Sequence, residues 1–379
     1  PYRYLHAANH YTLIQTEFLP LGVLSFLRFV ERPTRGRAAA LGAVVAMAYL
    51  TDLYIFAFLL IALAVLAWCR RSEIRLEACL GQAGWLATTA LVVASPLLVV
   101  QVAAVSRGNL QAVPGWGGAD LFSADLLAWF VPPPSHPIWG GTRPGWASTG
   151  EVYVGWSVLL LAVTGWVLVE RRLRNGWVPM AVVSAVMALG PFLQIAGRTG
   201  HLVTLRERSF SVPLPWMAIS LSPILSGLRT PARIVVVTEL ALAVLMALGV
   251  TALGLRWPRR RRLVATAAVV CVVLEFLPGR FPTLAAAIPA PYMAIRARAD
   301  GRAMLEIPLQ WTSTTQVVGD HAHEDSELLY YDSAADHPVV NGSLARYPDT
   351  GLAALESIPV FRQAAALSGD SRFSEPATF

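Results

Sequence analysis

The chain has 379 residues, 55% of them hydrophobic and 14% charged, whereas a soluble domain carries roughly 25% charged residues. That balance excludes an ordinary soluble domain. The net charge of +6 does not point to nucleic acid, because every basic residue is an arginine and most lie in short turns beside apolar runs, where they orient helices in a bilayer.

The chain opens on Pro1-Tyr-Arg-Tyr-Leu-His-Ala-Ala-Asn-His-Tyr11, followed by Gln15 and Glu17. As a helix, this segment sets Arg3, His6 and His10 on one stripe, with Asn9 and Glu17 close by. Such a stripe suits either phosphate binding or a solvated interfacial helix with a snorkelling arginine. With no methionine or lead helix before it, the segment is expected to follow further amino-terminal helices.

Apolar stretches then recur. A span needs about 20 apolar residues, because a helix is what satisfies its own backbone in hydrocarbon. Thr12–Val30, Ala83–Val105, Val152–Val169, Trp177–Ala196, Ile234–Leu255 and Leu263–Pro278 approach or meet that length. Ala38–Trp68 is too long for one crossing and carries Thr51 and Asp52 at its middle, so it is expected to be two helices joined by a tight turn. Asp52 is then either the N-cap of the second helix or a functional ionisable group. With this division Arg28, Arg32, Arg35 and Arg37, then Arg70, Arg71 and Arg75, then Arg171, Arg172 and Arg174, then Arg256 and Arg259 to Arg262 all fall on one side. The positive-inside rule makes that side cytoplasmic. Eight crossings follow, with residues 1–11, the Asp52 turn, 106–151, 197–233 and the tail after Pro278 outside the cytoplasm.

The first long outer loop holds Asp120, Asp125, His136, Arg143 and Glu151 among Trp116, Trp129, Trp139, Trp146 and Trp156. Carboxylates beside flat aromatic faces suit a carbohydrate; alternatively Asp125 caps a short helix and the aromatics anchor the loop at the lipid interface. In the second loop Arg229 and Arg233 stand against the charge bias at the mouth of a crossing, where a lipid-linked phosphate or a lipid headgroup would hold a guanidinium.

The tail is expected to be a small α/β domain, residues 286–379, beside a membrane domain of residues 1–285. Met304–Leu309 and His337–Val340 read as strands, and Gly351–Leu355 and Pro359–Leu367 as helices. His321-Ala-His-Glu-Asp325 lacks the spacing of a metal centre, and Cys69, Cys79 and Cys271 suggest no disulfide framework.

In order along nearly the whole chain, PYRYLHAANHYTLIQTEFLPL, LTDLYIF, SADLLAWFVPPPSHPIWG, EVYVGW, MALGPFLQIAG, LPWMAISLSPILSGLRTPAR and the tail's MLEIPL and DHPVVNGSLARYP resemble bacterial multi-spanning proteins of the YfhO-like and GT-C glycosyltransferase group. The resemblance implies an all-α polytopic fold in the bacterial cytoplasmic membrane with an extracytoplasmic tail. It implies a polyprenyl-phosphate-linked sugar as donor, a cell-envelope glycan or protein as acceptor, and a catalytic carboxylate in an outer loop upstream of Pro1. A divalent metal is compatible with such chemistry, although no motif here requires a cofactor. Arg3, His6, His10, Asp52, Asp125, His136, Glu151, Arg229 and Arg233 are the substrate-binding candidates. The competing functions are transport of a lipid-linked glycan and a non-catalytic envelope scaffold.

Overall fold

The computed structural model describes all residues except 1, 107–117, 147–151, 200–202, 206–207, 223–224, 280–286, 299, 314–316, 320–325, 345–352, 355 and 371–379. The chain divides into two units, Pro1–Val99 with Gly115–Pro282 and Val100–Pro114 with Thr283–Phe379.

The first unit is helical. Its helices are α1 Tyr2–Asn9, α2 Phe18–Glu31, α3 Arg35–Thr51, α4 Leu53–Cys69, α5 Leu76–Leu80, α6 Ala83–Ser106 (which runs past the unit's boundary), α7 Trp156–Leu168, α8 Arg171–Arg174, α9 Trp177–Ala188, α10 Trp216–Ser220, α11 Val235–Arg256 and α12 Arg261–Glu275. Among the described residues two helical stretches, Leu76–Ala104 and Pro231–Arg256, are long and apolar enough to cross a membrane; Leu53–Cys69 and Trp156–Leu168 are shorter apolar helices.

The long run from Ala38 does divide at Asp52, whose extended backbone (φ −164°, ψ 137°) interrupts the helical bonding. The two helices double back on each other. Tyr49 and Phe56 lie edge to face at 5.4 Å near the turn, and Leu63 packs beside Leu41 and Val45 further along.

Trp177–Ala196 is shorter as a helix than its apolar length suggests, ending at Ala188. The reason is Gly190-Pro191: Gly190 takes φ +79°, and Pro191 supplies no amide donor and disfavours helix in the residue before it. Two small antiparallel hairpins follow, β1 Gln194–Ile195 with β2 Arg198–Thr199, and β3 Val203–Leu205 with β4 Arg208–Phe210.

α4 and α11 form the centre of the bundle, where Ile55, Phe58, Leu59, Leu66, Val237 and Leu245 are buried. α7 meets α11 at Gly165 and Gly249. A Cβ on either would overlap a backbone carbonyl oxygen of the other helix, Leu245 O or Leu161 O. Small residues at such a crossing let backbones approach, as in helix pairs packed within lipid. A buried hydrogen bond of 2.8 Å between Ser184 and Thr238 ties α9 to α11.

The bundle has two chemically distinct ends. At one, Asn175 Nδ2 donates to Cys69 O at 2.9 Å, so the end of α4 meets the start of α9 amid Arg70 and the arginines of α8. At the other, Tyr54 near the start of α4 touches Arg229 and Thr230 just before α11, and Gly190 after α9 lies against Pro231. α11 runs from that second end and finishes at Arg256, beside the Arg259 to Arg262 block.

The second unit contains α13 Ala290–Arg296, α14 Ser326–Ala335, a helix at Pro359–Leu367, and the strands β5 Gln310–Ser313, β6 Val317–Gly319 and β7 Gly342–Leu344. The sheet order is β6-β5-β7, with β6 antiparallel and β7 parallel to β5. Leu309, Trp311, Val318, Phe361, Ala364 and Ala365 make its core. The tail is thus mixed α/β, with the Pro359–Leu367 helix at its expected place. The strands expected at Met304–Leu309 and His337–Val340 are reduced to one isolated bridge, Met304 with Val339. Pro308 has no N–H to donate to a ladder, and regular pairing begins only after it, at Gln310. Of Gly351–Leu355, only 353–354 are described, and both are helical.

Candidate functional site

Three segments that are far apart in sequence meet around Tyr54. Asp52 caps α4, its Oδ1 accepting from the Tyr54 amide at 2.7 Å, while its Oδ2 accepts the Thr12 hydroxyl at 3.1 Å. The Tyr54 hydroxyl accepts from the Arg229 amide at 2.9 Å and donates to Thr230 Oγ1 at 3.4 Å. Arg233 lies over the Tyr54 ring, 5.0 Å from its centroid, and Arg229 over Phe122 at 5.8 Å. Thr12, directly after the opening segment, the Asp52 turn and the arginine loop therefore form one network. Aromatic faces hold both guanidiniums by cation–π attraction. The half-buried Arg233 also keeps its Nε without a hydrogen-bond partner among the described residues.

The same end of the bundle contains a cavity of about 450 Å³, lined by Tyr2, Arg3, Thr16 and Glu17 on one side and by Val236, Glu239, Leu240 and Ala243 of α11 on the other, with Leu19 and Pro20. Arg3 reaches Glu17 at 3.1 Å and Thr16 at 3.0 Å. The cavity thus combines one cation, two carboxylates and an apolar wall. The opening segment is helical over Tyr2–Asn9, and its candidates do not share one environment. His6 is buried, edge to face with Tyr2 at 4.4 Å and His10 at 5.5 Å, whereas Arg3 and His10 are exposed.

The tryptophan-rich loop is held together by its own polar groups. Asp125 accepts from the Leu127 amide at 2.8 Å and the Gly197 amide at 2.7 Å. His136 is only 4% exposed. Its Nδ1 accepts from the amides of Ile138 and Trp139, which leaves Nε2 to donate to Leu274 O at 3.2 Å. Both side chains are occupied as clasps of the loop, and Trp139 stacks on His136 at 4.6 Å. Asp120 contributes its backbone oxygen to Gln194 Nε2. Glu151, Trp116 and the His321–Asp325 tract lie outside the described residues.

Two acidic residues inside apolar runs were not singled out by sequence reasoning. Glu239 faces the cavity from α11. Glu275, 6% exposed at the end of α12, accepts from the Tyr153 hydroxyl at 2.8 Å, the Ser157 amide at 2.8 Å, the Ser157 hydroxyl and the Trp156 amide. It supplies the helix cap that Gly155 lacks. The available signal was the cost of a carboxylate within an apolar helix, which marks it as partnered or functional.

With this geometry in view, the chain belongs to the family DUF6311, a domain of unknown function, whose model matches residues 3–276. The match takes in every residue of the Tyr54 network and all of the cavity lining except Tyr2, and it stops short of the α/β tail. No curated protein and no solved structure matches the chain.

Proposed function

We propose that the chain is a multi-pass membrane protein of GT-C type, with α2, α3, α4, α6, α7, α9, α11 and α12 as its crossings. In this reading it transfers a sugar from a polyprenyl-phosphate donor to a cell-envelope acceptor on the non-cytoplasmic face. The observation that carries the proposal is the polarity of the bundle: arginine turns collect at one end, while the charged cavity and the Tyr54 network occupy the other. Large apolar residues are exposed along the helices, among them Leu91, Val92, Val99, Leu160, Val167, Val269 and Val273. In this reading lipid is the partner of these exposed apolar side chains. Several of these helices are shorter than about 20 residues, a mismatch that bilayers accommodate by local thinning.

In this mechanism Arg229 and Arg233 hold the donor phosphate, their planar donors matching its oxygens. The bond between the anomeric carbon and the phosphate oxygen breaks as the acceptor oxygen attacks that carbon, and polyprenyl phosphate leaves. A carboxylate takes the acceptor hydroxyl's proton. In this reading Glu239, which lines the cavity at the same end of the bundle, takes that role.

The test is transfer from a radiolabelled polyprenyl-phosphate sugar in membranes expressing the protein. Arg229→Ala with Arg233→Ala should weaken donor use, and Glu239→Gln should lower turnover by about 100-fold or more, within the range for losing a general base. Wild-type rates in both variants would contradict the proposal, and so would no transfer with a panel of donors.

A further inference from the structure

The tail holds a set of oxygen ligands for which the transfer reaction has no use. α13 and α14 pack together, with the rings of Tyr292 and Tyr331 5.4 Å apart. Glu306 joins this pair, its Oε1 accepting from the Tyr292 hydroxyl and its Oε2 from Asn341 Nδ2 at 3.1 Å. Next to Tyr331 stands Asp332, 7% exposed, with neither carboxylate oxygen hydrogen-bonded among the described residues. Asn341 Oδ1, on the other arm of the amide that binds Glu306, is likewise buried without a donor. Tyr331, the neighbour of Asp332 on α14, meets the ring of Tyr292, whose hydroxyl donates to Glu306, so both carboxylates lie at the seam between α13 and α14. Among the described residues neither is ion-paired with an arginine or histidine.

A buried carboxylate without donors is costly. What would relieve the cost is a proton or a cation, and the three unpartnered oxygens favour the cation. We propose that Asp332, Glu306 and Asn341 form a binding site for a hard divalent cation of the calcium class. All three ligands are oxygens, from carboxylates and an amide, the set Ca²⁺ accepts in irregular geometry with carbonyls and water completing its shell. The ligands come from α14, from the chain before β5 and from the chain before β7, so the ion ties α14 to the two connections that lead into the sheet.

Terbium is the probe, since Tyr292 and Tyr331 lie where they can sensitise its emission. The purified chain in detergent should give saturable Tb³⁺ luminescence on tyrosine excitation, displaced by Ca²⁺. Asp332→Asn and Glu306→Gln should each weaken binding at least about tenfold, a loss typical even of groups that merely support a metal site, with circular dichroism unchanged. Ca²⁺ should also slow hydrogen exchange in α14 of the wild type. Absent sensitised emission, failure of Ca²⁺ to compete, or wild-type affinity in both variants would overturn the site. So would an Asp332→Asn variant whose α14 is better protected than that of the wild type while Ca²⁺ leaves the wild type unchanged, since a neutral group would then be what the site requires.

Discussion

The amide of Ser157 donates to Glu275 Oε2 at 2.8 Å, so the last residue of α12 caps the first turn of α7 across 118 positions of sequence. The Tyr153 hydroxyl and the Trp156 amide complete the cradle on Oε1. A carboxylate at a helix N-terminus is favoured by the exposed amides and by the helix dipole. Here it also fixes which ends of the two helices adjoin.

Glu275→Gln keeps the shape of the side chain but replaces one acceptor oxygen with a donor that must face an N–H or O–H of the cradle. A loss of about 2–4 kcal/mol is expected, the scale of a buried donor left unsatisfied together with weakened charged hydrogen bonds. Thermal unfolding in detergent checks it. Unchanged stability would mean that α7 is capped in some other way.

Gly165→Val should separate α7 from α11, because its Cβ would fall on backbone atoms, which cannot rotate aside. Overpacking of this kind costs roughly 1–3 kcal/mol or more. Gly36→Val, where nothing lies within 4 Å of an added Cβ, is the control. Equal melting temperatures of the two variants would exclude the close crossing.

Asp52→Ala should cost about 1 kcal/mol through loss of the cap, and Asp52→Asn should restore most of it, since an amide oxygen still accepts from the Tyr54 amide. Paired measurements of stability and transfer separate cap from chemistry. If Asp52→Asn is stable yet inactive, the carboxylate has a role beyond the cap.

In the tail, burial and the nearby Glu306 raise the Asp332 carboxyl from 3.8 to about 6. The folded tail therefore binds a proton more tightly than the unfolded chain. Between these values stability should rise as pH falls, and it should decline as pH increases through about 6. Hydrogen exchange of α14 in metal-free buffer should show protection growing from pH 7 to pH 5, with the slope largely removed in Asp332→Asn. Protection that grows in the opposite direction would exclude a raised Asp332.

The helices were legible because apolar length is a local property, and the break at Asp52 was legible because one acidic residue interrupted a run too long for one crossing. What was not legible depended on partners far away in sequence. Glu275 and Tyr153 meet only once α12 and α7 are paired, and Glu239 acquires meaning only beside Arg3 and Glu17. The end of α9 at Ala188 was written in Gly190-Pro191, a local signal outweighed by the apolar Phe192, Leu193, Ile195 and Ala196. Asp125 and His136 had the right chemistry for a sugar site, yet nearby amides and a carbonyl use it to hold the loop. Arg229, Arg233 and Asp52 share one network, a grouping that no spacing in the sequence expressed.

Everything proposed about donor and acceptor depends on which side of a bilayer the cavity faces, so the most direct measurement is labelling of single cysteines in intact cells. On a background with Cys69, Cys79 and Cys271 replaced, Thr16→Cys beside the cavity should react with a membrane-impermeant maleimide, while Arg172→Cys in α8 should react only after the membrane is opened. The reverse pattern, or equal reaction at both positions in intact cells, would contradict the account.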